Sequence, residues 1–475
     1  MTQTITIDPV TRIEGHSKIT IKLDDNGRVE RARFHITQFR GFEKFTEGRP
    51  FQEMPSLTAR TCGICPISHL LASAKACDDL MAVTIPASAA MLRRVINFGQ
   101  LIQSHALSFF HLSSPDLLLG MDSDPANRHI LGVGAKFPEL AEDGIWLRKF
   151  GQQVIERLGG KRIHPAWIVP GGVSLPLSES VRDEILAEIP KAMAIARRTL
   201  DWFKTVVGSF QAEIDSFANF PSLFLAMVSP DGKIEHYDGQ LRVVDAQRRI
   251  VVDGIAPKDY ASYFGEAVEP DSYLKSPYFK PLGYPEGLYR VGPLARLNVC
   301  QRMGTPSADR ELDDFRALQP ESAVLSSFHF HYARLVEIVY ALERVAELLG
   351  APEILDTQVR AFASPNKREG FGVSEAPRGT LIHHYRIDAN GLITWINLII
   401  ATGHNNLAMN QGITQVARRF VDGQRITEGA LNRVEAVIRC YDPCLSCSTH
   451  ALGQMLLRIE LVDADGVLLD ACQRG

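Results

Sequence analysis

Two Cys-x-x-Cys pairs stand at opposite ends of this 475-residue chain: Cys62 and Cys65 in Arg60-Thr-Cys-Gly-Ile-Cys-Pro-Ile-Ser-His69, and Cys444 and Cys447 in Asp442-Pro-Cys-Leu-Ser-Cys-Ser-Thr-His450. Sulfurs at i and i+3 can share one ion, and thiolate ligation selects zinc, iron-sulfur or a late transition metal over magnesium or calcium. Local zinc modules place the second pair roughly 15–20 residues after the first, whereas 378 residues lie between Cys65 and Cys444. An ion held by both pairs therefore obliges the fold to bring the two ends of the chain to one point. Zinc has no redox chemistry, while four thiolates make an electron-rich site suited to a metal that changes oxidation state. A zinc tetrathiolate that merely ties the ends together is the competing reading. Cys77, Cys300, Cys440 and Cys472 lie outside the pairs and are expected to be small buried hydrophobes.

The remaining composition narrows the classes. With 51 basic and 55 acidic residues the formal charge is -4, so no basic field advertises nucleic acid or an anionic membrane. No apolar run approaches the roughly 18 residues that span a bilayer. Met1 to Ile7 has neither a basic n-region nor an apolar h-region, and eight cysteines without a leader suggest reduced thiols, so a cytoplasmic protein is expected. No Pro/Gly/Ser-rich linker divides the chain, which favours one large body.

Ile19–Leu23 and Val29–Ile36 flank Asp24-Asp-Asn-Gly-Arg28, and Asn-Gly between alternating runs predicts a hairpin. Apolar residues at helical spacing predict helices over Ile67–Ala82, Ser88–Leu112, Glu179–Phe217 and Ser322–Leu349. Leu223–Gly254 reads as a short-strand meander, Tyr260–Val299 is rich in Pro, Gly and Tyr, and Thr380–Ile387 with Leu392–Ile400 reads as a second hairpin around Asp388-Ala-Asn-Gly391. The expected class is α+β, predominantly α: a central long-helix bundle with peripheral antiparallel β-hairpins and sheets. Residues 1–450 are expected to form a single body, with an N-terminal hairpin in 1–50, a β-rich insertion at about 220–300 and the second cysteine clip in 440–450.

The residues around the clips carry a resemblance that runs the length of the chain. Asp8-Pro-Val-Thr-Arg-Ile-Glu-Gly-His16, Arg40-Gly-Phe-Glu43, the first clip, Glu375-Ala-Pro-Arg-Gly379 and the second clip occur in that order. In this the chain resembles the large, catalytic subunit of nickel-iron hydrogenases. Ala401-Thr-Gly-His-Asn-Asn406 makes it look most like the cytoplasmic, NAD-linked bidirectional branch. The resemblance implies the hydrogenase large-subunit architecture and reversible heterolytic cleavage of dihydrogen to two protons and two electrons. It implies nickel held by four thiolates, Cys62 and Cys444 terminal, with Cys65 and Cys447 bridging to an iron that carries carbon monoxide and cyanide.

Other roles follow from the same resemblance. Glu14 would be the proton-transfer carboxylate, a group whose task needs a pKa near working pH. Arg378 would direct its planar fork at a cyanide, Asp116 and Asp442 would hold Arg378, Thr402 would donate to the other cyanide, and His69 would hydrogen-bond a bridging sulfur. Glu43, the Leu398 carbonyl and His450 would form a second site for magnesium or iron. The ordinary alternatives are a surface glutamate, a structural ion pair and a satisfied core histidine. His16, His105, His111, His329, His331, His383, His384 and His404 receive no role, because histidines on helix faces and strands default to packing.

The family pattern stops at His450, so Ala451–Gly475 is expected to be a C-terminal extension removed on maturation, and with it attached the second clip is expected not to close. Leu456–Val462 and Val467–Asp470 could pair as a hairpin. Expected partners are a small subunit with iron-sulfur clusters, flavin/iron-sulfur diaphorase subunits, nickel-insertion proteins and a maturation protease. Two other readings compete: a non-hydrogenase electron-transfer or quinone-site subunit like the related subunit of respiratory complex I, which lacks the four cysteines, and a zinc-bound or metal-free scaffold.

Overall fold

The structure is a computed structural model, and it describes residues 3–423, 425–450, 457–462 and 467–474. Its centre is helical. Pro66–Met81, Ala87–Ala106, Pro138–Gly159, Glu179–Val206 and Phe330–Gly350 are the long helices. The Ala87–Ala106 helix is gripped by both Pro138–Gly159 and Phe330–Gly350. Glycine permits the first crossing: a Cβ on Gly151 would stand 2.6 Å from the Gly99 carbonyl oxygen. One apolar core runs from Val10 through these helices to Leu445, so the ends of the chain share it. None of the described helices is long and apolar enough to cross a membrane.

The predicted class holds, and so do most elements. Ser17–Leu23 and Val29–Ile36 pair antiparallel, and Leu223–Val228, Gln240–Val244 and Ile250–Ile255 form a meander, to which Tyr289–Arg290 adds in parallel. Two predicted helices end early. The predicted Ser88–Leu112 helix is α-helical to Ala106 and then widens into a π-helix over Leu107–Ser113 that leads to Asp116; π segments are rare and favour functional sites. The predicted Glu179–Phe217 helix stops at Val206 and passes through a 3-10 turn into Gln211–Ser216. The predicted Ser322–Leu349 helix begins only at Phe330, after a 3-10 turn. Pro138–Gly159 was not foreseen.

The unforeseen strand with most consequence is Glu369–Ala376. It pairs with Gly379–Ile387, which pairs in turn with Ile393–Ile399. The Pro66–Met81 helix, capped by Pro66 at its first turn and by left-handed Ala82, lies beneath it. Gly370 and Gly372 make the approach possible: a Cβ on Gly372 would sit 1.8 Å from the Ala72 carbonyl oxygen. Such glycines break the alternating pattern by which strands are recognised, since there is no side chain to alternate. Their effect is to lay the Pro377-Arg378 hairpin tip beside the helix that carries the first clip.

Candidate metal centre

Cys65 caps the Pro66–Met81 helix, and Cys444 caps the short Leu445–Ser448 helix. The four Sγ atoms lie within 4.8 Å of one another and all four residues are buried. Individual pairs are 3.1 Å (Cys62–Cys65), 2.8 Å (Cys444–Cys447), 3.3 Å (Cys62–Cys444) and 3.6 Å (Cys65–Cys447). No disulfide joins them. At this spacing the sulfurs touch, inside an apolar cluster with Met54, Leu398, Ile400 and Ala401. Hydrogen bonds from Cys444, Cys447 and Cys62 push the Cys65 thiol well below its ordinary value, while burial pushes Cys447 well above. Four soft donors converging in a dry pocket fit one soft cation, which would replace the shared protons.

The ends of the chain meet through the backbone as well. Glu14 bridges Cys444 in parallel, its carbonyl accepting from Leu445 N at 3.2 Å, and its carboxylate Oε2 accepts from Ser446 N at 3.0 Å. A Cβ on Gly15 would lie 2.6 Å from that of Leu445, and Gly15 has φ +93, so glycine is needed there twice over. Asn432, Glu435 and Arg439, spaced on one face of the Glu428–Tyr441 helix, hold the loop that carries Glu14. Glu435 accepts from Thr11 N at 2.9 Å and Thr11 Oγ1 at 2.8 Å, Arg439 donates to Thr11 O, and Arg12 donates to Asn432.

Arg378 is 3 % exposed. Its guanidinium pairs with Asp442 Oδ2 at 2.9 Å, donates through Nε to the Asp442 carbonyl and through Nη1 to Ser104 Oγ at 3.3 Å. Burial works against its charge, but Asp442 and then the thiolates of Cys444, Cys65 and Cys62 outweigh it, holding the group well above its ordinary value. Asp442 therefore holds Arg378. Asp116 does not: its carboxylate is taken by Arg12 at 2.6 Å and 3.0 Å, by Arg439 at 3.0 Å and by Asn432. The π-helix brings Asp116 to the N-terminal loop instead of to the hairpin tip.

Thr402 Oγ1 accepts from Cys444 N at 2.9 Å, so its hydroxyl hydrogen is directed elsewhere. His69 lies against Cys65, whose thiol it helps to lower, and its Nδ1 meets His383 Nε2 at 3.3 Å. Glu43 and His450 touch through Oε1 and Nδ1. Burial raises the Glu43 carboxyl, but the His450 hydrogen bond and charge bring it below its ordinary value. His450 N donates to Tyr273 O at 3.1 Å. Leu398 is buried in the Ile393–Ile399 strand, which packs on the Phe42–Phe45 helix bearing Glu43.

Two expectations need correction. The second clip is closed in the chain that carries 451–475, because its position is set by Glu14, Thr402 and the Glu428–Tyr441 helix, all upstream. Cys472 is exposed in the Leu468–Arg474 strand, which among the described residues pairs only with Leu457–Val462. This pair forms the foreseen hairpin; Leu456 and the turn at 463–466 lie outside the described residues. Cys77, Cys300 and Cys440 are buried as expected.

Sequence reasoning missed the support behind Arg378. Arg296, wholly buried, donates to both oxygens of Glu337, to Glu375 Oε2, and to the Ala376 and Pro377 carbonyls. His105 Nε2 meets the same Glu337 at 2.8 Å. Glu375 was visible in Glu-Ala-Pro-Arg-Gly, but nothing in its neighbourhood announces a partner 79 residues upstream.

Four buried cysteine sulfurs meeting at one point, with a carboxylate and a guanidinium placed beside them, define the soft-metal centre of a metalloprotein. Comparison with known proteins makes the assignment specific: the family profile described as nickel-dependent hydrogenase matches residues 40–126 and 232–450, and one described as HoxL-like matches 4–39. The chain belongs to the nickel-dependent hydrogenase family. It is 43% identical to the beta subunit of the NAD-reducing hydrogenase HoxS of Cupriavidus necator, over 99% of each chain. A component of the vhu F420-non-reducing hydrogenase of Methanococcus voltae is 45% identical over 87% of this chain and 98% of its own length. The solved structure of an NAD+-reducing NiFe-hydrogenase in its H2-reduced state superposes with a TM-score of 0.92 at 44% identity, covering 94% of this chain and all of that one.

Proposed function

We propose that this chain is the catalytic subunit of a nickel-iron hydrogenase that interconverts dihydrogen with two protons and two electrons, exchanging the electrons with NAD through other subunits. The convergence of four buried thiolates from both ends of the chain carries the reading. Cys62, Cys65, Cys444 and Cys447 would hold nickel together with an iron bearing carbon monoxide and cyanide. Bound there, the metals would supply the redox chemistry and a soft centre on which dihydrogen is polarised.

The protein groups do the rest. The Ser446 amide fixes one oxygen of Glu14 beside the second clip, leaving the carboxyl to take and pass on a proton. Arg378, held by Asp442 and Ser104, presents fixed donors to a diatomic ligand in a site where water is excluded and donors count for more. The Thr402 hydroxyl, whose oxygen accepts from Cys444 N, would donate to a second such ligand. Glu43 and His450, with the Leu398 carbonyl, would take magnesium or iron, a hard-ion site.

Among the described residues no second cysteine cluster exists to carry electrons away. A partner with iron-sulfur clusters fits that need, and a flavin-containing diaphorase would link it to NAD, the acceptor that the name of the Cupriavidus relative carries. A cytoplasmic site of action suits this acceptor. We read residues 1–450 as one catalytic body and 451–475 as a segment removed after nickel insertion. Elemental analysis of the purified enzyme for nickel, with an infrared spectrum of the carbonyl and cyanide stretching region, tests the proposal. Stoichiometric nickel with such bands is expected, and zinc without them would overturn it.

A further inference from the structure

Away from the thiolates, a cavity of about 550 Å³ opens between the β-meander and the Pro306–Ala317 helix. Three arginines line it: Arg242 on the Gln240–Val244 strand, Arg248 in the turn that follows, and Arg316 at the end of the helix. Among the described residues no acidic side chain lines it. Each guanidinium is held in place by an acceptor. Asp253 binds Arg242 Nε and Nη2 at 2.9 Å and 2.8 Å, the Pro320 carbonyl accepts from Arg248 Nη2, and the Gln301 and Cys300 carbonyls accept from Arg316.

Each also keeps one buried nitrogen with no acceptor among the described residues: Arg242 Nη1, Arg248 Nη1 and Arg316 Nε. A buried unpaired donor is costly, more so when charged. Three guanidiniums line this one cavity, each with such a nitrogen beneath its surface, and among the described residues only Arg242 has a carboxylate partner. Burial, and then the charge of Arg316, lowers the Arg248 guanidinium. Arg248 also sits at φ 58, in left-handed backbone unusual for a long side chain. Strain, burial and repulsion are all tolerated at the same place, the pattern of a binding site formed before its ligand arrives.

We propose that this cavity binds the phosphate group of a small phosphorylated ligand. A phosphate offers several acceptor oxygens and a double charge, which match three forked donors. Val244, Ile250 and Val299 leave an apolar wall for an attached organic part, and the volume lies in the range of ligand pockets. None of the residues named for hydrogen turnover lines the cavity, so the site would bind a ligand without taking part in that chemistry.

Isothermal titration calorimetry of the purified holoenzyme with inorganic phosphate, and separately with AMP, at fixed ionic strength provides the test. Saturable one-site binding of either is expected; tighter binding of AMP would mean a phosphate ester that uses the apolar wall, and equal binding would mean free phosphate. The Arg248→Gln and Arg316→Gln variants should each bind at least about tenfold more weakly, with dihydrogen uptake and, without phosphate, thermal stability unreduced. No saturable binding to the wild type, or unchanged affinity in both variants, would overturn the proposal.

Discussion

Ser446 N donates to Glu14 Oε2 across 432 residues of sequence, at 3.0 Å. This one bond joins the N-terminal loop to the middle of the second cysteine clip, and it sets the carboxylate with respect to two of the four sulfurs.

Glutamine at position 14 separates the structural part of that bond from the chemical part. Its amide oxygen can still accept from Ser446 N, so nickel content and folding should match the wild type. It cannot carry a proton, and turnover should fall about 10²–10⁴-fold. Proton-deuterium exchange under dihydrogen measures this directly, and an undiminished rate in Glu14→Gln would end the proton-transfer assignment.

Arg296 and Arg378 should respond to substitution in different ways. Arg296→Met leaves Glu337 and Glu375 facing each other in the core without their shared cation, so the protein should lose roughly 3–5 kcal/mol, the usual result of breaking a buried pair. Arg378→Lys keeps a charge beside Asp442 but loses the fork, so turnover should fall steeply at near-normal stability with nickel retained. Urea unfolding and dihydrogen uptake on the same preparations would read both, and a stable Arg296→Met chain would refute the supporting role.

Acid should weaken the fold before it protonates most carboxylates. Burial depresses His105 and His329 to about 4 and His236, His331 and His404 to about 3. In the unfolded chain these rings titrate near 6.5. Below that value the unfolded state binds protons that the native state refuses, so stability is whole above about 6.5 and declines as the pH falls towards 4. Denaturant midpoints at pH 7.5 and pH 5 should differ accordingly, and equal midpoints would contradict the burial of these rings as neutral groups.

If 451–475 is removed on maturation, active enzyme should contain a large subunit ending at His450, by intact-mass spectrometry. Closure of the clip in the longer chain means that the sulfurs alone do not demand cleavage. An active, nickel-loaded subunit still ending at Gly475 would refute processing without touching the metal site.

Much of this protein is legible in one dimension. The clip residues announce themselves by spacing and type, because metal chemistry restricts ligands to few side chains. The long helices and the Asn-Gly hairpins follow from apolar periodicity and turn chemistry, which are local. Glu14, Arg378 and Asp442 were reached through short motifs, and the fold does bring all three to the thiolates.

What the sequence could not settle was which charges meet. The family resemblance implied that Asp116 holds Arg378, yet a π-helical turn carries Asp116 to Arg12 and Arg439. Ser104 and Glu337 looked like ordinary residues of helices, Arg296 and Glu435 carried no signal at all, and all four became supports of the site only through contacts made far along the chain. The strand that delivers Arg378 was hidden because Gly370 and Gly372 have no side chains to show a pattern, and their value is the close approach to a helix that only the folded chain makes. Spacing and composition determine which ligands and elements are present; the direction of a buried side chain depends on the packing of several elements at once, and that is decided only in the tertiary structure.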